Sequence, residues 1–190
     1  MHPRTAELLE HLDRERAALR LAVEGVPPDR RERRPSPESW SVAEVLEHLA
    51  LVERRLTQLF TTWMAEARAQ GLGAESESTP LVPTLDWATV LDRRRKITAS
   101  EAVRPRGDLN APAAWGVLEE AQRALRTVVL EGDGLALGEV VRPHPVLGPL
   151  NLYQWVAFVG AHEARHAAQI REIGALLTEG ARAASAPPAS

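Results

Sequence analysis

The chain has 190 residues, an apolar fraction of 44% and a formal net charge of −3, which suits one globular domain and offers no broad basic field for nucleic acid. It has no cysteine, which excludes disulfides, thiolate ligands and a thiol nucleophile of its own, so any metal must be held by His, Asp or Glu. The start, "MHPRTAELLEHLDRER", is charged within a few residues and no run approaches the roughly 20 apolar residues of a membrane span, so neither a signal peptide nor membrane attachment is expected and the cytoplasm is the expected compartment.

The first predicted helix runs from about Thr5 to Glu24, with Thr5 as N-cap and a stripe of Leu8, Leu12, Leu19 and Val23. Gly25 and then Pro27-Pro28 end it. A polar loop, "GVPPDRRERRPSPES", leads to a second helix opening on Ser41, where Glu44 three residues on completes a capping box. Its stripe of Val45, Leu49, Val52, Leu56, Leu59 and Trp63 lies close to a heptad seam and fades before Gly71-Leu72-Gly73. From Ala74 to Pro112 the pattern is weak. Asp86 to about Ala99 reads as a short helix capped by Asp86, and "RPRGDLNAP" reads as loop. A third long helix covers roughly Ala113 to Leu130, with Trp115, Leu118, Leu125 and Val128/Val129 on its apolar side. "EGDGLALGEVVRPHPVLGPL" is a connection with short extended pieces at Val140-Val141. The last helix starts near Asn151, capped with Gln154 at N3, and runs to about Leu177. Residues 1–178 thus read as a single helical domain, and 179–190, small, polar and proline-bearing, as a disordered tail. Four amphipathic helices, without an alternating strand pattern or an internal repeat, predict an all-α four-helix bundle with long connections.

The last helix carries the chemistry. Its stripe of Leu152, Trp155, Val159, Ile170, Ile173 and Leu177 predicts inward positions at 162 and 166, and both are histidine, within "HEARH". Burying an unpartnered imidazole costs on the order of 1–3 kcal/mol, so two stacked one turn apart call for a compensating partner. On the second helix His48 falls between Val45 and Val52, on the same inward side. Three protein ligands plus water is the usual open zinc arrangement, and three imidazoles suit Ni, Fe or Mn as well. The alternative for a lone core histidine such as His48 is an ordinary bond to a carbonyl or carboxylate. Around the three, Glu44 lies one turn before His48 and is a candidate acceptor for it, although the capping box competes for its oxygens. Gln169 lies three residues beyond His166 and can reach toward the site. His144, flanked by prolines, is a candidate rim or packing residue. Glu163, about 100° around the helix from His162, either orients a coordinated water as a catalytic group or pairs with Arg165 or another exposed arginine. His2 and His11 carry no signal, and the tryptophans Trp40, Trp63, Trp87, Trp115 and Trp155 read as core or interface packing.

"RPSPESWSVAEVLEHLALVERR" followed by "HPVLGPLNLYQWVAFVGAHEARHAAQI" resembles the DinB/YfiT-like superfamily of metalloenzymes. The marks are a W-S-x-x-E-x-x-x-H-L helix start, an H-P-x-x-G-x-L lead-in and a terminal H-x-x-x-H-x-x-Q-I, spanning about Thr5 to Leu177 with 74–112 least typical. The resemblance implies a four-helix bundle of unusual connection order, commonly a homodimer, with a divalent metal on His48, His162 and His166. It also implies chemistry dependent on a low-molecular-weight thiol, as in bacillithiol S-transferases, or metal-dependent hydrolysis. Only Lys96 of the 23 basic residues is a lysine, a bias that fits a GC-rich bacterial genome.

The pattern H-E-x-x-H also belongs to zinc peptidases, but no further histidine follows His166, and only Glu172 and Glu179 remain downstream as carboxylates. A bundle offers a pocket between helices and no strand edge to align a peptide. With no cysteine of its own, the chain would take a thiol nucleophile from outside, and together with the resemblance this implies the expected activity, that of a metal-dependent transferase using a small thiol as cosubstrate on a small-molecule substrate. Metal-dependent hydrolysis is the alternative within enzymes. A metal-stabilised ligand-binding or sensing module, and a metal-free helical dimer, are the alternatives outside them.

Overall fold

A computed structural model describes residues 1–185, with side chains described to Ala181. In chain order the elements are α1 (Pro3–Glu24), α2 (Val42–Ala69), the single turn α3 (Ala88–Leu91), α4 (Ala111–Glu131), β1 (Val141–His144), β2 (Gly148–Asn151) and α5 (Leu152–Ser185). Several boundaries follow from the caps. Ser41 and Glu44 form the capping box of α2, and Asn151 and Gln154 exchange hydrogen bonds of 2.9 Å at the start of α5. Helix α1 begins earlier than expected. Its cap is His2, whose side chain accepts from the Arg4 N–H, with Pro3 in the first helical position, and Thr5 is buried inside the first turn. Asn110 likewise caps α4, accepting from the Ala113 N–H, so that the helix begins at Ala111, two residues ahead of the expected start. Helix α5 continues to Ser185, past the expected end at Leu177. Residues 186–190 of the expected tail lie outside the described residues.

The helices form two pairs, α1 with α5 and α2 with α4. Within each pair the helices run parallel. His11 meets Ala157 and Arg16 meets Glu163, while Arg54 meets Glu120 and Arg68 meets the Glu131 carbonyl. The pairs run opposite to each other, since Arg20 bonds Glu119 and Asp13 bonds Arg126. Parallel neighbours need a long return, and residues 70–110 supply it between α2 and α4. The bundle thus has the long connections expected, in an order different from a simple up-and-down chain.

Two hydrophobic clusters fill the interior. Leu8, Leu12, Leu56, Phe60, Leu125, Val156 and Val159 belong to one; Leu19, Val23, Val45, Leu49, Leu118, Ile170 and Ile173 belong to the other. A layer of buried polar side chains separates them: Arg16 on α1, Glu53 on α2, and Glu163 and His166 on α5. One small sheet modifies the all-α expectation. Strands β1 and β2 form an antiparallel hairpin pairing Val141 with Asn151 and His144 with Gly148, more extensive than the short pieces expected at Val140-Val141. Gly148 closes its turn with φ of +78°, a conformation that favours glycine. No helix among the described residues is long and apolar enough to cross a membrane.

Candidate metal centre

His48 from α2 and His162 and His166 from α5 converge, with one ring nitrogen from each within 4.8 Å of the others. His48 and His166 are buried, and His162 is partly exposed. The Nε2 atoms of His162 and His166 face each other at 3.1 Å. An ion with Zn–N bonds of about 2.0–2.1 Å separates neighbouring ligands by about 2.9 Å in octahedral and about 3.4 Å in tetrahedral geometry. The His162–His166 spacing lies between these.

The outer contacts fix which nitrogens are free. His48 Nδ1 lies 2.7 Å from the Val103 carbonyl. A carbonyl only accepts, so Nδ1 carries the proton and Nε2 keeps its lone pair. His166 Nδ1 lies 2.8 Å from Gln169 Oε1, which assigns the same tautomer and places Gln169 where the sequence puts it. Backing of this kind is how metal-ligating imidazoles are oriented. Burial pulls all three imidazoles below their ordinary value; mutual proximity adds to this for His162 and His166, while the Val103 contact works against it at His48. Neutral rings with the Nε2 atoms of His48 and His166 free to coordinate fit a divalent cation, which would take the place of the single proton shared between the facing Nε2 atoms of His162 and His166.

Two expectations for the surroundings are corrected. Glu44 does not serve His48. Its oxygens accept from the Ser41 N–H and from Arg34, and the Val103 carbonyl takes the imidazole instead. Glu163 does not face the histidines as a base, nor does it pair with Arg165. It turns to α1, where Arg16 Nε donates to both its oxygens at 3.1 and 3.0 Å. Arg16 also donates to Glu53 on α2 at 2.7 Å. Burial and the neighbouring Glu163 push the Glu53 carboxyl well above the usual carboxylate range.

His144 sits at the end of β1 and accepts from the Val146 and Leu147 N–H groups. Its ring packs 4.5 Å from Phe158 and 4.7 Å from Trp155, and Phe158 stacks on His162 at 5.4 Å. It is a packing residue behind the site, held there by the hairpin.

Two buried polar residues on or against α5 were not expected in the roles they take. Arg165 is buried, and its guanidinium donates to the carbonyls of Val90, Asp92 and Arg95 at 2.7–2.8 Å. The segment from Val90 to Val103 is thereby fastened to α5 at one end and, through Val103, to His48 on α2 at the other. This also explains why the helix expected from Asp86 to Ala99 is only Ala88–Leu91: carbonyls that a continuing helix would bond internally are taken by Arg165. Asp86 does bond the Ala88 N–H, at 2.8 Å. His11, which carried no signal, is buried with Nε2 donating to the Ala157 carbonyl at 3.0 Å. Its ring lies against Gly160, where a Cβ would overlap it. A glycine on the inward face of a predicted helix opposite a histidine was the only trace of this in the sequence.

The model of the family described as "DinB superfamily" matches residues 11–170. A protein of Bacillus subtilis (strain 168), "Uncharacterized protein YuaE", is 29% identical over 155 residues, covering 80% of this chain and 87% of that protein. No solved structure gives a significant match.

Proposed function

The chain belongs to the DinB superfamily, and from that premise we propose that it is a metal-dependent enzyme, a small-thiol S-transferase of the bacillithiol-dependent type, using a divalent ion held by His48, His162 and His166. The observation that carries the reading is the convergence of three neutral imidazole nitrogens within 4.8 Å, two of them oriented by Val103 and Gln169. A divalent ion in such a site acidifies a coordinated thiol or water and so supplies a nucleophile near neutral pH. The chain's own residues would do the rest. The imidazoles bind through Nε2, the Val103 carbonyl and Gln169 hold the rings in that tautomer, and the Phe158–His144–Trp155 cluster excludes water from one flank.

The thiol route is favoured over hydrolysis by the position of Glu163. In H-E-x-x-H hydrolases the glutamate is the general base; here Arg16 occupies both its oxygens. A chain without cysteine needs its thiol from outside. The overall reaction would join the thiol sulfur to an electrophilic carbon, with release of a halide and a proton, or with opening of an epoxide to an alcohol. The test is consumption of bacillithiol with a halide or epoxide electrophile by tag-free, metal-loaded protein. Thiol-dependent turnover abolished by His162→Ala supports the reading. Full metal loading with no thiol consumed across a panel of small thiols overturns it.

A further inference from the structure

The polar layer that divides the core raises a separate question. Arg16, Glu53 and Glu163 are between 1% and 6% exposed, deep between two apolar clusters. Such a cluster is a poor way to stabilise a fold, because desolvating the charges offsets their attraction, and apolar replacements of similar volume are often as stable or more so. This one is also incompletely satisfied: Arg16 Nη1 and Glu53 Oε2 meet no hydrogen-bond partner among the described residues.

Its placement is what stands out. Glu163 is next to His162 in the chain, and Glu53 lies five residues after His48. The two helices that carry the imidazoles belong to different pairs, α2 packing mainly on α4 and α5 mainly on α1, and they touch each other far less. Arg16 reaches both helices from α1, bonding Glu163 on α5 and Glu53 on α2 with a single guanidinium. The Trp115 ring of α4 lies 5.9 Å from that guanidinium, so all four long helices meet here.

We infer that Arg16 is a positioning residue for the metal centre: by bonding Glu53 and Glu163 at once, it sets the register of α2 against α5 and with it the distance of His48 from His162 and His166. A planar, five-donor fork can hold two carboxylates in fixed relative positions; an ammonium acts as a point charge and cannot fix them in the same way. The inference rests on the metal-site reading above.

The test separates register from general stability. Zinc affinity is measured by chelator competition on apo, tag-free, full-length protein, at a temperature where circular dichroism shows every variant folded. Four proteins are compared: wild type, Arg16→Lys, the apolar triple variant Arg16→Met/Glu53→Leu/Glu163→Leu, and Leu125→Ala, a core truncation away from the site. Arg16→Lys and the triple variant are expected to bind zinc at least about ten-fold more weakly than wild type, the triple variant without a matching fall in Tm. Leu125→Ala is expected to lower Tm and bind zinc as wild type does. Wild-type affinity in Arg16→Lys and the triple variant overturns the inference, as does a loss in Leu125→Ala equal to that in Arg16→Lys. If the triple variant does not fold, Arg16→Lys against Leu125→Ala decides. A wild type that binds no zinc, nickel, iron or manganese ends the metal reading itself, an outcome distinct from a wild type that binds while its variants match it.

Discussion

Two of the three imidazoles are defined by what holds their far side as much as by what they face. The Val103 carbonyl and Gln169 fix the rings of His48 and His166 with Nε2 inward. Removing such a support typically costs 10–100-fold in metal affinity, so Gln169→Ala should bind zinc about 10–100-fold more weakly than wild type by chelator competition, with little change in Tm. An unchanged affinity would mean that the His166 ring is oriented by packing alone. His162 and His166 were legible because helical periodicity places both on an inward stripe where an unpartnered imidazole is costly. His48 was legible only together with them. Val103 was not legible at all, since a backbone carbonyl leaves no mark in the sequence and this one comes from a loop 55 residues away along the chain. Glu163 illustrates the converse: the local pattern H-E-x-x-H suggested a catalytic group, but a residue on another helix, Arg16, determines its environment.

At the scale of elements, capping chemistry explains most boundaries. Ser41 with Glu44, and Asn151 with Gln154, are local signals and were read directly. Pro3 and Pro112, each in the first turn of a helix, mark the earlier starts of α1 and α4 and outweigh the hydroxyl of Thr5. The segment after Asp86 was misjudged because its carbonyls are satisfied by tertiary donors on α5. Arg165→Met leaves the Val90, Asp92 and Arg95 carbonyls without their donor. It should release this segment, seen as faster amide exchange and proteolysis across residues 90–103, while α1 and α4 keep their protection. Uniform loss of protection would instead indicate global destabilisation. The α1–α5 contact depends on a close approach at Gly160. Gly160→Ala drives a Cβ into the buried His11 ring and should cost about 1–3 kcal/mol, the usual range for overpacking, in urea unfolding. A neutral result would show that His11 can move aside.

At the scale of the whole molecule, the bundle is two parallel helix pairs of opposite direction, its core divided along its length by a polar layer. The family and the four-helix architecture were visible from helix count, spacing and the linked motifs; the parallel pairing inside each half was not, because amphipathic stripes mark a buried face without naming its neighbour. The polar layer makes a pH prediction. Glu53 is raised in the folded state by burial and by Glu163, against the pull of Arg16. The folded protein therefore holds that proton more tightly than the unfolded chain does. Its contribution to stability is complete below the ordinary carboxylate value of about 4.3 and is lost as pH rises through the raised folded value. Glu53→Gln mimics the protonated form. The stability of Glu53→Gln relative to wild type should increase as pH rises from about 5 to about 9, measured by urea unfolding at each step. The buried histidines titrate in the opposite sense, but they are common to both proteins and cancel in the difference. A pH-independent difference would mean that Glu53 is ionised throughout, held by Arg16.

The central claim is that three imidazoles from two helices of opposite direction hold one divalent ion. It is tested most directly by calorimetric titration of zinc into apo, tag-free protein, with His48→Ala and His162→Ala alongside. One ion per chain for wild type, with affinity reduced by at least about a hundred-fold in each variant, is the predicted result. Binding of no ion, or binding that survives loss of His48, would contradict it.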